Sequence, residues 1–553
     1  MELEKKKSIR FNTMAIILII IFCISITPIT LQNDTFYTIK IGEYILENGV
    51  TMQEPFAWHE NLEYTFPHWA YDVFIYSIYN IGGMTGIYIS TIVLASILGI
   101  VMYYVNVKLV KNRILSFIIT IGALYLLKPF ICARAQLVTF ILFILTIYFI
   151  EKFLETRKIR YAIGLIIIPI LIANLHLATF YFYFILYLPY LAEFVIYILA
   201  YSNVIISDSV VQSIKKKIKK QGETEELLKK LEKEEARYVR LKEKQDKRIN
   251  DPYKIKIGYY DNVKWLIVIF IICLFTGLLT PLGDTPYTYL IKTMQGISTK
   301  NINEHLPVVL ADNIKLLVLL GIYVATIAFT RVKIRLSDLF MLSGLTLLTI
   351  LSRRQASMLY LIGAVILNRL ITEMLIKYNK DSVKKLENIS SNILGITIIS
   401  AIVIIISIFQ FKPKINDKFV SENSYPVQAA TWIKENIDLE EMKLYNEYNY
   451  GSYLIYQGIP VFIDSRCDLY MPEFNDNTYV FKDFLSINSM NLTNVETKLN
   501  EYGFTHFIVS RSSKLKMYLE ENPDKYEKIY PNEEIKDNNF TIYERIDKWR
   551  KIF

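Results

Sequence analysis

The stretch "LQNDTFYTIKIGEYILENGV" (31–50) continues directly from a charge-free apolar run, Met14–Leu31, and its reading decides the fold. Asp34 stands three residues past the end of that run. Tyr37, Ile41, Tyr44 and Ile45 then recur at i, i+4, i+7 and i+8, one face of a helix, and Gly49 closes it. Lys40, Glu43 and Glu47 take the opposite face. A helix so divided is expected to lie in a membrane interface with its aromatic face toward lipid. A second follows in "HWAYDVFIYSIYNIGG" (68–83), where Trp69, Val73 and Tyr76 share a face and Gly82 and Gly83 end it. Asp34 opens the first helix, Asp72 lies inside the second, and the acidic, irregular "EPFAWHENLEYTFP" separates them.

Outward from this loop, apolar blocks recur along the chain. Of its 553 residues 53% are hydrophobic, with 40 Tyr and 31 Phe, and runs such as Ile393–Phe409 carry no charge. A membrane span takes ~17–25 largely apolar residues. Eleven candidates lie near 14–31, 84–107, 114–130, 136–150, 161–175, 177–200, 265–283, 314–330, 336–351, 356–376 and 393–410. The first is not a cleaved signal peptide on this reading, because no small-residue cleavage site follows it and ten further blocks do. The third and fourth are short enough to be a re-entrant pair, which leaves the parity unchanged.

Charge alternates between the connections. Lys5, Lys6, Lys7 and Arg10 precede the first span, Lys108, Lys111 and Arg113 follow the second, and Arg157, Lys158 and Arg160 follow the fourth. Arg331, Lys333 and Arg335 follow the eighth, and Lys377, Lys380, Lys384 and Lys385 the tenth. By the positive-inside rule these are cytoplasmic, whereas 32–67, with one Lys and six Asp or Glu, is outside. The net charge of +9 is therefore a topological signal and implies no nucleic acid. The expected fold class is an α-helical polytopic protein of the cell (plasma) membrane. It comprises a cytoplasmic tail (1–13), a transmembrane domain (14–410) of about eleven helices, and an extracytoplasmic α/β domain (411–553). In that last domain "VQAATWIKENI" and "NVETKLNEYG" read as helices, the second stopped by Gly503, and "PVFID", "THFIVS" and "FTIYERI" as strands. The transmembrane domain holds a first outer loop (32–83), a charged cytoplasmic insertion (201–264) and an outer loop (284–313). Lys/Glu-rich 213–248 reads as a solvated helix with i,i+4 pairs such as Glu225–Lys229. Leu227, Leu231 and Tyr238 sketch a seam, so a cytoplasmic partner at 205–260 is the other reading. The four cysteines, Cys23, Cys132, Cys273 and Cys467, have neither metal-ligand spacing nor a disulfide framework.

Chemistry is expected on the outer side. The five histidines, His59, His68, His176, His305 and His506, all fall there. Asp34 suits an N-cap, and equally a general base at the membrane edge. Cations accompany it against the positive-inside bias: Lys128 and Arg134 in "LLKPFICARAQL", and Arg353 and Arg354 in "LSRRQ". They read as snorkelling or ion-paired side chains, or as holders of a phosphate at headgroup depth. The loop 281–310 adds Lys292, Glu304 and His305 and is placed to lie across such a site. In the terminal domain Asp464, Arg466 and Asp468 follow a strand, either as a buried polar turn or as an edge that binds acceptor or glycan.

In their order, "DTF" (34–36), "GEYI" (42–45), "EPF" (54–56), "ARAQLVTF" (133–140), "NLH" (174–176) and "NEYNYGSYLIY…VFIDSRCDLY" (446–470) resemble the GT-C superfamily of integral-membrane glycosyltransferases. The likeness is to bacterial relatives of its protein mannosyltransferase and aminoarabinose transferase branch, and it covers the chain apart from 205–260. It implies inverting, metal-independent transfer of a sugar from a polyprenyl-phosphate donor to a hydroxyl of a protein, lipid or polysaccharide acceptor, with no other cofactor. Asp34 would be the base, with Asp72, Glu54 or His68 sharing the work. Arg134 with Arg353 or Arg354 would stabilise the departing phosphate, and Lys128, His176, Glu304 and His305 would line the substrate site. The sequence departs from the pattern where Asn33 precedes Asp34 and Tyr37-Thr38 follow. The rival readings are a transporter or flippase and a catalytically inactive scaffold. No internal repeat supports the first, and Arg369 and Glu373, i,i+4 partners, sit near the end of a span.

Overall fold

The computed structural model describes residues 2–249, 255–258, 261–491, 495–532 and 535–546. The last part of the expected insertion (250–254 and 259–260), Asn494 of the expected helix, and 547–553 lie outside the described residues. Helix α1 (Glu2–Ile26) is followed by α2 (Asn33–Asn48), α3 (Trp69–Val110), α4 (Arg113–Leu127), α5 (Gln136–Thr156), α6 (Ile159–Leu175), α7 (Phe180–Ile185) and α8 (Leu188–Ala200). Then come α9 (Ser202–Gln221), α10 (Glu225–Ile249), α11 (Val263–Leu274), α12 (Thr285–Gln295), α13 (Ser298–Asn301), α14 (Ile314–Phe329), α15 (Leu336–Leu351), α16 (Ala356–Tyr378), α17 (Lys380–Ser391) and α18 (Ile393–Phe411). Every one of the eleven apolar segments contains a helix. Six described helices are long and apolar enough to cross a membrane: Trp69–Val110, Arg113–Phe130, Gln136–Thr156, Leu177–Ala200, Arg353–Tyr378 and Ile393–Lys414. The shorter apolar ones are Arg10–Ile26, Ile159–Leu175, Val263–Leu278, Ile314–Phe329 and Leu336–Leu351. The surface of α18 is compatible with a lipid environment: only Val403 and Ser407 are buried, while Ile398, Ile402, Ile405, Ile408 and Phe409 are exposed.

Several expectations are corrected. The first apolar helix ends at Ile26, before Leu31, since Pro28 cannot continue it. Gly83 (φ 57°, ψ −150°) breaks the second amphipathic helix as expected, but only as a kink, and α3 runs on to Val110. The insertion is a hairpin of two helices, turned at Gly222 (φ 85°), and the intramolecular Lys215–Glu235 pair (2.8 Å) joins its arms. The seam residues Leu227, Leu231 and Tyr238 are half-buried on α10, and Val211 and Ile214 are buried on α9. Arg369 bonds Asp338 (2.7 Å) and Glu151 (3.0 Å), not Glu373, in a cluster that Arg335 completes. Two guanidiniums there meet two carboxylates, so the buried charges balance.

The terminal domain carries α19 (Val427–Asn436), α20 (Gly451–Tyr456), α21 (Val480–Ser489), α22 (Val495–Tyr502) and α23 (Lys514–Glu521). Its strands β1 (Leu444–Tyr445), β2 (His506–Ser510), β3 (Tyr526–Tyr530) and β4 (Phe540–Arg545) form one sheet in the order β1-β2-β4-β3. β1 runs parallel to β2, and the other pairs are antiparallel. "PVFID" forms no strand, only an isolated bridge from Val461 to Ala57. The side chain of Asn446 takes its backbone instead, accepting from Phe462 N (2.9 Å) and donating to Ile463 O (2.7 Å). Its outer edge bonds the first loop, Val461 N to Phe56 O (3.3 Å) and Trp58 N to Val461 O (3.2 Å).

That contact joins the domain to the helical bundle. The aromatic face of α2 is turned toward protein and not toward lipid: Tyr37, Ile41 and Ile45 are buried in one cluster with Phe462, Leu469 and Phe484 of the domain. On the other side Gly42 lies against α3, where a Cβ would collide with the Asp72 carbonyl oxygen and approach Tyr76 Cβ to 2.6 Å. Glu54 and Arg466 fasten the loop to the domain, with Arg466 also bonded to Asp464 (2.7 Å), all three carried on fully buried side chains. Asp464–Arg466 is therefore the buried polar turn of the two expected alternatives. Removing one partner of such a group typically costs ~3–5 kcal/mol, because a buried charge is left uncompensated.

His59 lies in the same seam. Its Nε2–H donates to Phe462 O (2.8 Å) and its ring stacks on Trp58 at 4.3 Å. Burial, with help from Lys443, lowers its pKa to about 4. The neutral ring is the one that fits, so this contribution to stability is intact above about pH 6.5, the ordinary imidazole value, and is lost as pH falls through about 4. Thermal unfolding followed from pH 7 to pH 4 should therefore lose Tm more steeply for wild type than for His59→Gln. Parallel curves would contradict this role.

Candidate functional site

Five consecutive residues at the start of α2 each meet a different neighbour. Asn33 Nδ2 donates to Tyr448 O of the terminal domain (3.2 Å). Asp34 Oδ2 pairs with Arg134 Nη2 at 2.8 Å. Thr35 Oγ1 donates to Ala133 O (3.3 Å), Phe36 lies edge-on to Tyr425 (5.0 Å) and Tyr453 (5.1 Å), and the Tyr37 hydroxyl meets His68 Nε2 at 3.1 Å. Asp34 is not the N-cap. That position is Gln32, which makes no side-chain capping bond, and Asp34 stands inside the first turn, turned toward Arg134. The amide-rich helix start is still a favourable place for its charge.

Arg134 is the centre of the group. It sits in the turn between α4 and α5, with its amide bonded to Cys132 O (2.8 Å), and its Nη1 faces Glu304 Oε1 at 3.3 Å. Arg134 and Asp34 keep 22% and 24% of their side chains exposed and Glu304 keeps 50%, so a ligand can reach all three. The surrounding acids, Asp34 foremost, outweigh burial and hold the Arg134 guanidinium firmly charged. Burial lifts the Glu304 carboxyl, but Arg134 and Arg354 overcome it and hold it below the usual range. Buried polar atoms without a partner among the described residues adjoin the pair: Gln32 Oε1, Asn33 Oδ1 and Arg134 Nε.

Behind Tyr37, His68 Nδ1–H donates to Asp72 Oδ1 at 2.7 Å. Burial works against the charged ring, but Asp72 outweighs it, and the imidazole pKa lies above its usual range. The line of hydroxyl, imidazole and buried carboxylate can hold or pass a proton beside Asp34. The turn that carries His68 is fixed from outside by Trp69 Nε1 to Asn174 Oδ1 (3.2 Å) and Leu177 N to Pro67 O (2.8 Å).

The loop between α12 and α14 brings Glu304 against Arg134 at this end. Tyr289, on α12 before the loop, bonds Asp468 in the domain, and Arg354 N donates to Glu304 O (3.0 Å). Among the described residues the Arg354 guanidinium makes no hydrogen bond, while Arg353 is spent on the loop, its Nε donating to Pro307 O (3.3 Å). His305 follows Glu304, and Arg354 acts on it after burial to keep its pKa low. His176 is buried and bonds Thr139 Oγ1 (2.7 Å). Lys128 is not brought to the group. A 3-10 turn, Lys128–Phe130, carries it to α18, where it donates to Gln410 Oε1 (2.7 Å).

Sequence reasoning missed Tyr37, which it assigned to lipid, and the Tyr289–Asp468 tie, for which no spacing signal exists. A cleft of about 430 Å³ is lined by Asn423, Ser510, Arg511, Asn539 and Phe540 and by none of these residues. It offers one cation and no carboxylate, and the acid–guanidinium group is the stronger candidate. Comparison with protein-family models finds no match, and comparison with curated proteins finds none either.

A pair at 2.8 Å with a quarter of each side chain exposed should couple modestly. A double-mutant cycle of Asp34→Asn and Arg134→Gln, read by thermal unfolding, is expected to give about 1 kcal/mol of coupling. Additive losses, within about 0.3 kcal/mol, would mean that the two groups do not interact.

Proposed function

We propose that this chain is a membrane glycosyltransferase of the GT-C kind, moving a sugar from a polyprenyl-phosphate donor to an acceptor hydroxyl. The proposal takes all eleven apolar helices as spans, with the basic connections and N-terminus cytoplasmic and the terminal domain outside the plasma membrane. The observation that carries it is the Asp34–Arg134 pair, a reachable carboxylate on a reachable guanidinium at the domain end of the helices, with the Arg354 guanidinium uncommitted nearby.

In the proposed reaction the acceptor oxygen attacks the anomeric carbon as Asp34 takes its proton. The bond from that carbon to the phosphate oxygen breaks, and the lipid phosphate leaves with the electron pair. Attack opposite the leaving group inverts the anomeric centre. The charge that develops on the phosphate is met by Arg134 and Arg354, whose planar forks suit phosphate oxygens. Donor binding draws Arg134 toward the phosphate and so frees the Asp34 carboxylate to act as base. Tyr37, His68 and Asp72 stand behind it as a proton reservoir. A transporter would need charge along a path between the helices, whereas the buried cluster of Glu151, Arg335, Asp338 and Arg369 is internally balanced, as a fixed brace is.

A positioned base contributes ~10²–10⁴ in rate. In a deletion strain complemented with Asp34→Asn at matched membrane expression, mass spectrometry should find one sugar missing from the cell surface and its polyprenyl-phosphate form accumulated. Surface glycans and lipid-linked sugars identical to those with wild type would remove the reading.

A further inference from the structure

Arg134 serves two acids at once. Its Nη2 meets Asp34 at 2.8 Å, while its Nη1 faces both oxygens of Glu304, at 3.3 and 3.5 Å. The second contact is at the long end of hydrogen-bond range and half open to solvent, so it is the weaker of the two. Glu304 is carried on a loop, whereas Asp34 stands in the first turn of a helix. Its loop is held from behind by Arg354 N to Glu304 O (3.0 Å), Arg353 N to Leu306 O (3.0 Å) and Val308 N to Ile350 O (3.0 Å). Ser352 Oγ adds a bond to Glu304 O (3.3 Å).

Resting on the function proposed above, we infer that Glu304 occupies the place of the donor phosphate in the empty protein, and that a lipid-borne phosphate enters by displacing it from Arg134. A carboxylate and a phosphodiester each offer a guanidinium two anionic oxygens in the same fork geometry. Arg134 also keeps one donor, Nε–H, buried without an acceptor among the described residues, and the Arg354 guanidinium makes no hydrogen bond among them. The carboxylate thus leaves unused donors that a phosphate, with more oxygens, would fill. Loop opening is therefore coupled to donor entry.

The test uses the full chain in lipid nanodiscs, with decaprenyl phosphate, decaprenol and inorganic phosphate as probes. Glu304→Gln keeps the shape of the side chain and removes its charge. It should bind decaprenyl phosphate about tenfold more tightly than wild type, the equivalent of about 1.4 kcal/mol, and should leave decaprenol binding unchanged. Equal affinities of the two proteins for decaprenyl phosphate would overturn the inference and leave the transferase reading standing. Binding by neither would overturn both. Inorganic phosphate binding as tightly as the lipid would overturn the lipid-borne source. A second readout needs no variant: decaprenyl phosphate should speed hydrogen exchange at the Arg353 and Arg354 amides of wild type as the loop lets go, and protection there would contradict displacement.

Discussion

The first turn of α2 has no spare residue. From Asn33 to Tyr37, each side chain is taken by a different residue, in three parts of the molecule: Asn33 and Phe36 by the terminal domain, Asp34 and Thr35 by the turn before α5, and Tyr37 by His68. A helix held in this way cannot rotate or slide without breaking several contacts at once. The site depends on that constraint, because Asp34 owes its position to its neighbours and not to a rigid loop of its own. Gly42 extends the same logic one turn further, since only a residue without a Cβ lets α2 lie directly on α3. With α3 on one face and the domain on the other, α2 is the wedge that joins the helical bundle to the terminal domain.

That joint also explains where polar groups are buried. Glu54, Asp464 and Arg466 pair among themselves at the loop–domain seam, and Glu151, Arg335, Asp338 and Arg369 do so within the helices. In the first, one guanidinium serves both acids, and in the second, two guanidiniums meet two acids, so every buried charge has a partner. The Asp34–Arg134–Glu304 group differs. Its side chains remain partly open, its outer contact is long, and donors are left over. Closed clusters hold the fold together, whereas an open one is where a ligand can be exchanged for a side chain.

Much of this architecture is legible in the amino-acid sequence. Charge-free runs mark the helices because backbone in an apolar medium must bond to itself. The glycine break at Gly83, the stop at Gly503, and the gathering of Asp34, Arg134, Glu304 and Arg354 at one end follow from pattern and charge asymmetry. What pattern does not supply is the partner of an apolar face. Tyr37, Ile41 and Ile45 suit lipid and protein equally, and only the docked domain decides between them. Nor does spacing separate Lys128 from Arg134, two cations in one short connection, since the 3-10 turn that sends Lys128 to α18 has no signature beyond one proline. "PVFID" has the alternation of a strand, yet Asn446, sixteen residues away, supplies its hydrogen bonds.

The central claim is that Arg134 receives a lipid phosphate beside Asp34. It is tested most directly by electron cryomicroscopy of the full chain in nanodiscs with decaprenyl phosphate. The account predicts phosphate density between Arg134 and Arg354, with Glu304 moved away and the Asp34 carboxylate released from Arg134 toward the open space. Phosphate density at Lys128, or none near α2 while the Asp34–Arg134 pair stays closed, would contradict it.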